Sequence, residues 1–165
     1  GAGFARVAQG EPVLVDIVHV HRGYVSDCTR IFSAGRLSDE WMQRLDDMSD
    51  VAGFVIDGLG RGADCSAVWH EGSEMVSEMG YAGHLMGMPP DQARFLGHSV
   101  GLELDETPVV ANGFDRSLPI GGTMAIEPKV IYPEGAIGTE DTWVRGADGM
   151  ECLTMGESFP MLTEW

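Results

Sequence analysis

"VLVDIVHVHRGYVSDCTRIF", residues 13–32, decides the fold. Apolar and β-branched residues fill both halves. They read as two strands, 13–18 and 23–32, separated by "VHVHRG" with Gly23 as the hinge of a turn or hairpin. Each strand carries an acid, Asp16 in the first and Asp27 in the second, eleven positions apart. Carboxylates are among the residues least often fully buried without a partner. Two neighbouring strands that each hold one need a reason.

Working outward, "GRLSDEW" starts a helix. Ser38 is a natural N-cap, and Asp39 and Glu40 suit the positive first turn. The helix is expected to run to about Ile56, with Gly58 and Gly60 as stops. A second helix is expected over 66–79, ended by Gly80. Residues 81–96 read as irregular, and "GHSVGLEL" as a turn followed by a strand. "TMAIEPKVIY" and "AIGTEDTWVR" read as two strands joined at "PEG", a hairpin. "MECLT" reads as a short last strand. Strands, then helices, then strands again predict an α+β fold with a curved antiparallel sheet and helices on one face.

The 165 residues fit a single domain, and 44 % apolar residues suffice for a core. Ten basic against 26 acidic side chains give a net charge of −16, which argues against a nucleic-acid partner. No window approaches the ~18 apolar residues of a membrane helix. Cys28, Cys65 and Cys152 are odd in number and widely spaced, so reduced thiols in the cytoplasm fit better than a disulfide framework. The opening strand has little before it, so the chain is expected to be the C-terminal portion of a longer protein.

The oddity of Asp16 and Asp27 recurs. Glu127 interrupts "TMAIEPKVIY", Glu140 interrupts "AIGTEDTWV", and His98 interrupts "FLGHSVGL". Any one of them has a plain reading as a solvent-facing acid or a hydrogen-bonded core histidine. Together they are harder to dismiss, because buried unpaired carboxylates are very costly. Two divalent cations would balance four carboxylates, and one imidazole adds a neutral ligand. An oxygen-rich set with a single nitrogen suits Mn²⁺ or Co²⁺, with Zn²⁺ or Fe²⁺ as alternatives.

"VDIVHVHRGYVSDCTRIFSAG", "GHSVGLELDETP", "AIEPKVIYPEG" and "GTEDTWV" resemble the successive motifs of the creatinase/aminopeptidase P/prolidase family, the M24-type pita-bread metallopeptidases. The resemblance covers about residues 11–156. It implies a pita-bread fold, here without its N-terminal part, as a single catalytic metallopeptidase domain over 1–165. It implies two metal ions: Asp16 on one, Asp27 and Glu140 bridging, His98 and Glu127 completing the second. It also implies a shared water or hydroxide that attacks the scissile carbonyl, with Glu127 as proton shuttle and His98 beside it in the catalytic centre. Thr29 and Thr142 would support the ligands. The implied activity is an Xaa-Pro dipeptidase or aminopeptidase P-like exopeptidase in the cytoplasm, acting on short peptides. The implied full-length protein is a homodimer.

The substrate residues depart from that pattern. Proline-cleaving members carry histidines four residues before and seven residues after the metal histidine; here these are Arg94 and Asp105. Their arginine two residues before the last glutamate is Gly138 here. Arg94 and Asp105 are therefore candidates for holding the carboxylate and the α-ammonium of a dipeptide, against the plainer reading of a surface pair. The same fold also hosts a creatinase-like amidinohydrolase, a lyase and non-catalytic binding modules. His19 and His21 read as exposed hairpin residues, and His70 and His84 as surface. The methionine-rich segment "MVSEMGYAGHLMGMPP" reads as core packing, with an adaptable wall over the site as the alternative.

Overall fold

The computed structural model describes residue 4 and residues 6–155 and 160–165. The opening stretch forms the antiparallel hairpin of β1 (Pro12–His21) and β2 (Tyr24–Ser33). Arg22 and Gly23 alone connect them, both at positive φ (54° and 88°). Two such residues in a two-residue loop match the right-handed twist of paired strands. The first strand is longer than the sequence suggested, because the ladder continues to the His21–Tyr24 pair, and the second lies one residue later. Asp16 lies opposite Thr29, and Val18 opposite Asp27. Paired residues share a face, so the two aspartates are diagonal neighbours on one side.

Helix α1 (Asp39–Gly60) is capped by Ser38, whose side chain accepts from the Trp41 amide. Trp41, Leu45, Met48, Val51, Ala52, Val55 and Leu59 recur at helical spacing and are buried. The helix passes through Gly58 rather than stopping there. A Cβ on Gly58 would stand 2.9 Å from Val68 of α2 (Cys65–Glu78), so this glycine serves the close crossing of the two helices. The segment after α2 has no helix, as expected. Met86 is buried there, and Met75 and Met79 pack against the core.

The later strands are β3 (Gly97–Ser99), β4 (Glu106–Val109), β5 (Thr123–Ile126), β6 (Lys129–Tyr132), β7 (Gly135–Gly138), β8 (Asp141–Arg145), β9 (Met150–Cys152) and β10 (Leu162–Glu164). The predicted long hairpin is present, but each arm is broken. β5 pairs with β8, and β6 with β7. The breaks fall at Glu127-Pro128 and Thr139-Glu140. Proline has no N–H to donate, so the ladder cannot run through it. At the breaks the chain turns to other partners: the Glu127 amide donates to Leu96 O, and Glu140 O accepts from the Thr29 amide. The sheet orders are β1-β2-β10, β4-β3-β5-β8-β9 and β6-β7. Helix α1 packs on β5, β6, β7 and β9, leaving the helices on one side. The added strand β10 lies parallel to β2. Among the described residues no helix is long and apolar enough to cross a membrane.

Candidate metal centre

The two hairpin breaks decide where the site forms. Each strand break frees a glutamate from ladder pairing and sets it where the sheets meet. Asp27 from β2, His98 from β3 and Glu140 from the second break are buried, and each offers one ligand atom within 4.8 Å of the others. Glu127 borders them, its Oε1 3.2 Å from His98 Nε2. His98 Nε2 also lies 3.9 Å from Asp27 Oδ2. Asp16 stands at the open edge, with its side chain 51 % exposed.

Supporting contacts fix these side chains. Thr29 Oγ1 donates to Glu140 Oε2 at 2.5 Å. Thr142 Oγ1 accepts from the Asp27 amide and donates to the Asp27 carbonyl, at 2.9 and 2.8 Å. Both threonines therefore support the site as well as their strands. His98 Nδ1 lies 3.2 Å from Ser99 O, which leaves Nε2 facing the carboxylates.

One group was not foreseen. Lys129 is the only lysine of the chain. Its Nζ lies 2.8 Å from both Glu127 Oε2 and Glu140 Oε2 and 3.6 Å from Asp16 Oδ2. The available signal was a lone lysine within the apolar run "EPKVIY".

The charges bias one another. Burial and the nearby Asp16 carboxylate push Asp27 up to about 6. Burial, then the Glu127 charge, push Glu140 up to about 7. Burial also works to raise Glu127, but His98 and Lys129 outweigh it and hold this acid below its ordinary value. For His98 burial works downward, and the hydrogen bond and charge of Glu127 overcome it, lifting the imidazole to about 9. Burial acts against the Lys129 charge too, yet Glu127 and Glu140 raise its pKa above the ordinary value. A metal ion would thus have to displace a proton from His98. The residues fit such an ion: Asp27 Oδ1 is buried and has no hydrogen-bond partner, and an acceptor in that state needs a cation or a donor.

The substrate candidates part company. Asp105 Oδ1 lies 3.5 Å from His98 Nδ1, on the far side of the imidazole. Arg94 is exposed and lines a cleft of about 420 Å³ with Trp69, His70 and Asn112; none of the five ligand candidates lines it. No ion pair joins Arg94 to Asp105 among the described residues. A side chain is excluded at Gly138, where a Cβ would stand 2.3 Å from Pro128 O. His19 and His21 are exposed, as read. His70 is also exposed, whereas His84 is half-buried and stacks on Tyr132 with ring centroids 3.9 Å apart.

The profile of metallopeptidase family M24 matches residues 2–146. An Xaa-Pro dipeptidase from Lactobacillus delbrueckii subsp. lactis is 28 % identical over 155 residues, 93 % of this chain and 40 % of that protein. The prolidase structure from Pyrococcus horikoshii OT3 superposes with a TM-score of 0.82 at 25 % identity, covering 94 % of this chain and 43 % of that one. The X-Pro aminopeptidase from Thermotoga maritima MSB8 gives a TM-score of 0.83 at 23 % identity, over 95 % of this chain and 42 % of that one. The chain thus has the pita-bread architecture of these structures and spans about two-fifths of the length of the proteins it matches.

Proposed function

Because the chain belongs to metallopeptidase family M24, we propose that it supplies the catalytic part of a metal-dependent exopeptidase. The substrates proposed are short peptides, cleaved in the manner of an Xaa-Pro dipeptidase or aminopeptidase P. The observation that carries this reading is the buried convergence of Asp27, His98 and Glu140, together with an Asp27 oxygen that lacks a hydrogen-bond donor.

Asp16, Asp27, His98, Glu127 and Glu140 would hold divalent ions, Mn²⁺ or Co²⁺ by the oxygen-rich donor set. Bound ions of this kind polarise a carbonyl and lower the pKa of water towards neutrality. The remaining work falls to the chain. Glu127 is held ionised by its neighbours, so its Oε1 accepts a proton and later returns it to the leaving amine. His98, oriented through Nδ1 by Ser99 O, keeps Nε2 towards the ions. Asp105, exposed beside His98, would receive a peptide ammonium, and Arg94 would hold a carboxylate. Three free cysteines support a reducing compartment, the cytoplasm. The full-length protein is proposed to be a homodimer.

The test is hydrolysis of Xaa-Pro, Xaa-Ala and Met-Xaa dipeptides and tripeptides by the full-length protein reconstituted with Mn²⁺. Selective, metal-dependent Xaa-Pro cleavage is expected. Metal bound with no peptide cleaved points to another reaction, and failure to bind metal at all sinks the reading.

A further inference from the structure

The candidate site is two-sided. On the His98 side, Asp27 Oδ2 lies 3.9 Å from Nε2, and the other Asp27 oxygen, Oδ1, is buried with nothing to accept. On the Asp16 side a cation is already present, the Lys129 ammonium. We propose that Lys129 takes the place of one of two divalent ions, so that the site holds a single ion against Asp27, His98 and Glu140, bordered by Glu127. This inference rests on the metal-dependent reading above and narrows it.

Three observations carry it. First, the position. An ion on the Asp16 side would draw on Asp16, Asp27 and Glu140. The Lys129 ammonium lies 2.8 Å from Glu140 Oε2 and 3.6 Å from Asp16 Oδ2, against two of those three carboxylates. Second, the oxygens. Glu140 Oε2 already accepts from Thr29 Oγ1 and Lys129 Nζ, and Glu127 Oε2 accepts from Lys129 Nζ. A carboxylate oxygen offers roughly two lone-pair sites, so Glu140 Oε2 is filled. Any ion bonded to it at about 2.1 Å would also stand within about 5 Å of a fixed positive charge. The other oxygens, Glu140 Oε1 and Glu127 Oε1, remain for the His98 side.

Third, the room. Lys129 is paired across the hairpin with Gly138. A Cβ at 138 would come within 2.6 Å of Lys129 Cα and 2.9 Å of Lys129 Cγ. The bare position therefore lets the lysine stem lie in the hairpin, with the side chain only 10 % exposed. Positions 129 and 138 act together: no side chain at 138 permits a built-in cation at 129.

The experiment counts ions. The full-length protein is stripped with chelator, saturated with Mn²⁺, desalted and analysed for manganese per chain, alongside Lys129→Gly and Lys129→Met. Electron paramagnetic resonance is recorded on the same samples, because two ions a few ångströms apart give an exchange-coupled spectrum and one ion an isolated six-line signal. Expected are about one ion and the six-line signal for the wild type, and about two with coupling for Lys129→Gly. Two coupled ions in the wild type overturn the inference and leave the metal-dependent function standing. A folded Lys129→Gly and Lys129→Met that still hold one ion also overturn it. No ion in any of the three removes the metal-dependent reading itself. If the variants do not fold, the wild-type count and spectrum alone decide.

Discussion

Asp27 and Asp141 are buried to nearly the same degree, 5 % and 4 % exposed, on the two chain segments that meet at the β2–β8 seam. Their surroundings differ. Asp141 Oδ1 accepts from Arg30 Nη2 at 2.8 Å and from Thr154 Oγ1 at 2.7 Å. Arg30 also donates to the carbonyls of Thr29, Glu140 and Thr154. Asp27 keeps one oxygen with no donor. Side chains alternate along a strand, so this seam has two faces. Arg30 and Asp141 close one with mutual charge; on the other, Glu140 meets Thr29 and Lys129 while Asp27 keeps an oxygen unpartnered. A buried charge with all its partners argues for architecture, and one that lacks a partner argues for a ligand.

Four experiments break or sharpen that contrast. Glu127→Gln in the full-length protein should lower kcat by about 10²–10⁴-fold, the range of a lost general acid–base, with metal content retained by elemental analysis. Retained activity removes Glu127 as the proton carrier. On the closed face, Arg30→Met strands the Asp141 charge. It should lower stability by about 3–5 kcal/mol in denaturant titration; a loss below about 1 kcal/mol would erase the distinction between the faces.

The supporting threonines come next. Thr29→Val and Thr142→Val should weaken Mn²⁺ binding by about 10–100-fold in calorimetry, as outer partners of metal ligands do. Unchanged affinity with lowered stability would assign them to the strands alone. The smallest effect concerns pH. Asp27, Glu140 and His98 hold their protons more tightly in the folded, ion-free protein, at about 6, 7 and 9. Their contribution is complete below the ordinary pKa values and is lost as pH rises through the raised ones. Glu127, shifted downward, acts oppositely but only in the acid range. The Tm of chelated protein should therefore fall between about pH 5 and 9, and Mn²⁺ should restore it at the upper end. A flat or rising Tm contradicts the coupling.

Much of the open face was legible in the sequence because its residues break pattern. An acid or imidazole inside an apolar run stands out whatever the fold, and the order of five such residues carried the family resemblance. Four of them come together buried, and Asp16 stands at the edge. The closed face was not legible. Arg30 and Asp141 are 111 positions apart, and nothing local announces their pairing. Gly58 was read as a helix stop, because a close helix crossing and a terminus call for the same residue. Lys129 stands out in the sequence as a lone lysine in an apolar run, but only the folded hairpin brings its ammonium between two glutamates.

The Thr29–Glu140 bond joins residues 111 positions apart, and the Asp27–Thr142 bonds span 115. The first hairpin of the chain must find the last before these residues share a site. Contacts of such separation carry a large loop-closure cost and tend to form late. An ion bound there acts as a removable crosslink between the two ends of the fold. Mn²⁺ should then slow unfolding in stopped-flow denaturant jumps and leave the refolding rate unchanged, whereas accelerated refolding would show that the two ends meet early.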